Sequence, residues 1–329
     1  MSALAPTLQA YFVDRLVAQR HASPHTIRAY RDTMRLLLGF AQARLATPAA
    51  QLDIADLDAD LIAAFLDHVE HDRDNTIATR NARLAAIHAL FHFAALRHPE
   101  HAGVIERVLA IPPKRHDRAL VTYLSDPEID ALLAAPDPST WIGRRDRAML
   151  QVAIETGLRV SELTGLTGAD VHLGPGAHIS CHGKGRKDRF TPLTTQTAAV
   201  LRGWLDERAG LPRDPLFPTT RGTPLSRDAV DRRLAKHTAT AARTQQSLHD
   251  KTVTPHVLRH TAAVRLLHAG VDSAVIALWL GHERVETTQI YLHADLAIKE
   301  RALARTTPPG TKPGRYKPPD ALLAFLDAL

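Results

Sequence analysis

Apolar residues recur every three to four positions along most of this chain, the spacing that gives a helix one buried face. In "LQAYFVDRLVAQR" the set is Leu8, Phe12 and Leu16. The next segment, "SPHTIRAYRDTMRLLLGFAQARL", opens with Ser23 as a cap and Pro24 at the first helical position, where a missing N–H costs little. "LDADLIAAFLDHVEHD" and "TIATRNARLAAIHALFHFAALRH" repeat the pattern, so four or five helices are expected over residues 1–110. Arg28, Arg31, Arg80 and Arg83 fall on the polar faces of those helices, the ordinary place for solvated charge.

"AIPPKRHDRALVTYLSD" breaks the pattern. Pro112 and Pro113 cannot continue a helix, and the run from Lys114 to Arg118 is too polar to bury, which predicts a linker over 111–120. Helices resume at "LSDPEIDALLAA", with Ser125 as a cap. One stretch differs. "DVHLGPGAHISCHGKGRKDRFTPL" sets β-branched and alternating residues between turn glycines, the pattern of three short strands, with Lys184 at the second turn. It lacks the glycine and Ser/Thr spacing of a phosphate-binding P-loop. The fold class expected is mainly α with a small antiparallel β-sheet. A Pro/Gly-rich connector, "TTPPGTKPGRYKPP", precedes "DALLAFLDAL", which is apolar on one side and too short to be stable alone. It is expected to dock on its own domain.

Composition narrows the classes. The chain has 329 residues, room for two domains, and 45% hydrophobic content, enough for a sizeable core. A single cysteine, Cys181, excludes an internal disulfide framework and a cysteine-based zinc site. No apolar run approaches the ~20 residues of a membrane helix, and the N-terminal stretch lacks the pattern of a secretory signal, so a cytoplasmic protein with no membrane contact is expected. The net charge is +6 and the pI 9.7, a balance that suits a polyanionic partner.

Four separated stretches carry the candidate chemistry. "TGLRVSELTGL" places Glu162 three residues after Arg159, and "GKGRKDRFTPL" supplies Lys184. In "TPHVLRHTAAVRLLHAG", Thr254 caps a helix with Pro255 at its first position and Gly270 at its end. His256, Arg259 and His260 then share a face near the helix N-terminus, where free N–H groups favour an anion. The two histidines also fit ordinary polar positions, whereas no carboxylate or cysteine at ligand spacing supports a metal pair. "LGHERVETTQIYLH" adds His282 and, nine residues later, Tyr291.

In this order the motifs resemble the tyrosine recombinase family, the phage-integrase and Xer-type site-specific recombinases. The "LRH" and "LGH" boxes, with a tyrosine nine residues past the second histidine, carry most of the likeness. Trp279, where smaller apolar residues are common, and the tail depart from it. The resemblance implies an N-terminal helical core-binding (SAM-like) domain over 1–110, the linker 111–120, a catalytic domain over 121–307 and a connector with docking helix over 308–329, for which it adds a neighbouring protomer as an alternative docking surface. It also implies Arg159, Lys184, His256, Arg259, His282 and Tyr291 as catalytic residues, with Glu162 bracing Arg159 and His260 behind the site.

Those residue types suit phosphodiester cleavage. Two guanidiniums meet the non-bridging oxygens bidentately, with His282 adding a hydrogen bond. Tyr291, with a reference pKa near ~10, needs help from His256 or the positive field to lose its proton. Lys184 would protonate the departing 5′ oxygen. A 3′-phosphotyrosyl link conserves the bond energy, so no cofactor, metal or ATP is expected. Three functions fit: a site-specific recombinase, favoured; a type IB topoisomerase-like enzyme; and a catalytically silent DNA-binding protein of the same fold. The partners implied are double-stranded DNA and further protomers, as a tetramer on two sites with the same or a different recombinase. Arg28, Arg31, Arg80, Arg227, Arg232 and Arg233 are candidate DNA contacts, from charge and position.

Overall fold

A computed structural model describes residues 4–115, 121–182 and 188–281. The chain divides into two compact units, Met1–Arg118 and Ala119–Leu329.

In the first unit, α1 (Leu4–Ala10) runs into a wider π-type segment, Tyr11–Gln19. It is followed by α2 (Pro24–Leu45), α3 (Ala59–Asp67), a second π-type segment (His68–Asp72), α4 (Ile77–Ala95) and α5 (Ala102–Leu109). The Ser23 hydroxyl accepts the Thr26 N–H at 3.2 Å, so the expected cap and first-position proline start α2. Tyr11, Leu16, Leu37, Phe65, Ile87 and Phe91 meet in the core. Burial pushes the Tyr11 phenol well above its usual pKa.

The start of the predicted linker is fastened to this unit. Arg80 donates to the Pro112 carbonyl at 3.3 Å. Asn81 clasps Lys114 through both backbone groups, at 2.8 and 3.0 Å, and the Lys114 ammonium donates to Glu70 at 2.8 Å.

The second unit holds α6 (Asp126–Ala134), α7 (Trp141–Thr156), α8 (Val160–Gly165), α9 (Thr195–Arg208), α10 (Arg227–Ala241), α11 (Pro255–His268) and α12 (Ser273–Leu280). Between α8 and α9 lies the expected sheet, β1 (Val171–His172), β2 (His178–His182) and β3 (Asp188–Pro192), antiparallel in that order. Ile179 pairs with both Val171 and Thr191, and its side chain and that of Cys181 face the core. Burial pushes the Cys181 thiol up to about 12. Helix α7 is the centre of the unit: Met149, Leu150, Val152 and Ile154 are all buried, and α6, α9 and α11 pack around it. Among the described residues, no helix is long and apolar enough to cross a membrane.

Helix α7 ends at Gly157, which has a φ of 62°. A Cβ there would lie 2.6 Å from Leu280 Cδ2 and 3.0 Å from Ala262 Cβ. Gly157→Ala combines left-handed strain with overpacking, and is expected to cost about 2–4 kcal/mol in denaturant melts. A change within ±0.5 kcal/mol, the usual range for an unconstrained surface site, would contradict this account.

Candidate active site

The turn after Gly157 carries the first candidate. Leu158 is buried, and Arg159 stands at the N-cap of α8. Glu162, one turn into α8, accepts the Arg159 backbone N–H at 2.8 Å and its Nη1 at 3.0 Å. The Arg159 Nη2 donates to the Gly281 carbonyl at 2.8 Å.

The second arginine comes from α11. Thr254 accepts the Val257 N–H at 3.3 Å and Pro255 takes the first position, as the sequence predicts, and Gly270 follows the helix with a φ of 83°. One turn in, Arg259 is only 3% exposed. Its Nη1 donates to the Gly157 carbonyl and its Nη2 to the Leu280 carbonyl, both at 2.7 Å. A buried guanidinium needs such acceptors, and these fix its plane.

Both arginines thus converge on the C-terminus of α12, whose last carbonyls form the negative end of the helix dipole. A third joins them. Arg189, on β3, donates Nε to the Trp279 carbonyl at 3.1 Å. Its two Nη atoms reach the two oxygens of Glu162 at 3.0 and 2.8 Å. Consecutive carbonyls at positions 279, 280 and 281 therefore accept from Arg189, Arg259 and Arg159 in turn.

Sequence reading missed Arg189. The fork–fork pairing with Glu162 needs β3 beside α8, a proximity that no local spacing encodes. The only sequence signal was an arginine two positions past Lys187 on an expected strand.

The electrostatics follow. Burial alone would raise the Glu162 carboxyl, but hydrogen bonds from Arg189 and the Arg159 backbone, with both guanidinium charges, pull it down to about 2. Stability contributed by ionised Glu162 is complete above the usual 4.5 and is lost as pH falls through about 2. The fall in Tm across that interval is therefore expected to be shallower in Glu162→Gln than in the parent. Equal slopes would show that the carboxylate gains nothing from its partners.

His256 and His260 stack edge to face, ring centroids 4.3 Å apart. Burial, followed by the charges of Arg259 and Arg159, holds His256 below the usual histidine value. Burial, His256 and Arg259 take His260 down to about 4. Both rings are therefore neutral at pH 7, the state a proton acceptor needs.

The structure brings Arg159, Glu162, His256, Arg259 and His260 into one region. Lys184, His282 and Tyr291 lie outside the described residues, as does the 308–329 tail.

The six expected DNA contacts divide. Arg28, Arg31, Arg227 and Arg232 are exposed, although Arg31 pairs with Asp32 at 2.9 Å. Arg80 differs: it is 6% exposed and donates to the Pro112 carbonyl at 3.3 Å. Arg233 is also drawn inward, donating at 3.0 Å to buried Asp146, which Arg145 and His237 share. A polar helix position cannot reveal that a buried acceptor is waiting beneath it. Among the described residues, Asp67, Glu70 and His71 cluster closely enough to hold a metal, in the first unit, and the Lys114 ammonium already sits on Glu70.

Residues 10–98 match the phage integrase N-terminal SAM-like domain and residues 122–297 match the phage integrase family. The chain belongs to that family, the tyrosine recombinases, and is an enzyme of the recombinase/integrase class. It is 55% identical over 328 residues to the putative integrase/recombinase y4rC of Sinorhizobium fredii, covering 100% of this chain and 99% of that one. With the tyrosine recombinase XerD of Pseudomonas putida it shares 34% over 317 residues, 94% of this chain and 100% of the relative. Among solved structures, the XerH site-specific recombinase bound to its difH substrate before cleavage has the same fold. The TM-score is 0.65 at 24% identity, over 87% of this chain and 81% of that one.

Proposed function

We propose that this recombinase cuts and rejoins duplex DNA at a specific site through a 3′-phosphotyrosyl bond to Tyr291. The observation that carries the proposal is the convergence of Arg159 and Arg259 on the carbonyls of Gly281 and Leu280, at the point where the chain continues into His282.

In the proposed step the Tyr291 oxygen bonds to phosphorus as its proton passes to neutral His256. The bond to the 5′ oxygen breaks, and that oxygen takes a proton from Lys184. The two guanidiniums and His282 hold the non-bridging oxygens as charge builds there, the kind of preorganised stabilisation that dominates many enzymes. A different 5′-hydroxyl then attacks the phosphotyrosine and reseals the strand. Bond energy is conserved throughout, so the step as drawn needs neither ATP nor a metal.

The +6 charge favours the duplex, and binding is expected to weaken steeply with salt. Four protomers on two sites, alike or shared with a second recombinase, would supply the strand partners for integration, excision, transposition or dimer resolution.

A duplex nicked just past the cleavage point tests the proposal, because the short fragment bearing the new 5′-hydroxyl diffuses away and traps the intermediate. The expected result is a protein–DNA adduct whose nucleotide maps to the peptide containing Tyr291. No adduct, or one on another residue, would overturn it. Joining between two different duplexes would separate recombination from topoisomerase-like resealing.

A further inference from the structure

We infer that Arg189 is a positioning residue for DNA cleavage: it neutralises Glu162, so that the charge of Arg159 remains available to a phosphate, and it holds the α12 terminus that leads into His282. The inference rests on the recombinase reading above.

Glu162 Oε1 accepts from Arg159 Nη1 and Arg189 Nη1, each at 3.0 Å, while Oε2 accepts from the Arg159 backbone and Arg189 Nη2, each at 2.8 Å. The Glu162 side chain is 7% exposed and that of Arg189 11%, against 39% for Arg159. The carboxylate and Arg189 are therefore the desolvated pair, and Arg159 is the member that reaches solvent. One carboxylate between two guanidiniums leaves one net positive charge. Without Arg189 the buried carboxylate would have Arg159 as its counter-charge among these three, and the positive potential at the site would drop.

The second contact is mechanical. Arg189 Nε holds the Trp279 carbonyl, and its guanidinium lies so close to Gly281 that a Cβ there would be 2.9 Å from Nη1. With a φ of 65° as well, position 281 accepts glycine on two independent grounds. Arg189 thereby couples the orientation of Arg159 to the position of the α12 terminus.

The test is single-turnover adduct formation on the nicked duplex at saturating protein, for the parent, Arg189→Gln, Arg189→Lys and the double variant Arg189→Gln/Glu162→Gln. Melting curves confirm folding. Arg189→Gln is expected to slow the adduct by about 10²-fold, with duplex affinity within roughly threefold of the parent. Removing the carboxylate charge as well should recover at least about tenfold, a rescue that a purely structural tie does not produce. Arg189→Lys keeps the charge but loses the fork, and should stay roughly tenfold or more above Arg189→Gln. An Arg189→Gln rate near the parent's, a double variant no faster than the single, or a lysine variant as slow as the glutamine would each overturn the inference while the adduct of the parent stands. No adduct from the parent would overturn the recombinase reading and this one with it.

Discussion

Tyr291→Phe is expected to abolish the covalent protein–DNA adduct, slowing its formation by at least ~10⁴-fold. The substitution removes one oxygen and keeps the ring, so affinity for the duplex should stay within about threefold, since phosphate contacts by cationic side chains carry most of it. The pairing of those outcomes is the informative part. An oxygen that bonds to phosphorus contributes to the reaction step alone, whereas a tyrosine that contacts the DNA backbone would weaken binding and spare the chemistry. The measurement is denaturing electrophoresis of the trapped complex beside a binding titration on an intact duplex at the same salt. An undiminished adduct would remove the nucleophile from the mechanism and leave the arginines without a reaction to serve.

Arg259→Lys should also damage cleavage, though less severely and for a different reason. Arg259 is 3% exposed and its guanidinium holds two carbonyls, Gly157 O just after α7 and Leu280 O at the end of α12. A lysine ammonium retains the charge but lacks the planar fork, so it cannot reproduce both bonds while also facing an anion. One carbonyl left buried without a donor costs about 1–3 kcal/mol. The expected loss of stability is therefore about 1–3 kcal/mol, or roughly 2–4 °C of Tm per kcal/mol for a unit of this size. Cleavage should fall about 10²–10³-fold, since the variant would misplace the proposed transition-state donor. A lysine variant that cleaves at the parent rate would show that charge alone is what the site requires.

What the sequence made legible was local. Ser23 with Pro24, and Thr254 with Pro255, announce their helices because capping is settled within four residues, and both caps form. The His256, Arg259 and His260 face follows from helical spacing in the same way. The glycine-punctuated run from 170 to 193 declares a three-stranded sheet, since turns and strand alternation are short-range signals. Illegible were the features made by meetings across the fold. Arg189 reads as one more cation on a strand until β3 is laid beside α8. Arg80 and Arg233 read as solvated, because whether a long side chain turns outward or inward depends on acceptors contributed by Pro112 and Asp146. The π-type widening over Tyr11–Gln19 also had no signal in the apolar spacing, which is tolerant of a slightly different pitch.

The three guanidiniums grip main-chain oxygens at 279–281, and this divides those positions by how freely they can vary. Every residue type offers the same carbonyl, so the indole at Trp279 can stand where smaller apolar groups are common without loosening the grip. Gly281, by contrast, can be exchanged only with strain. Among natural variants of this chain, side-chain drift should therefore be visible at 279 and absent two residues later.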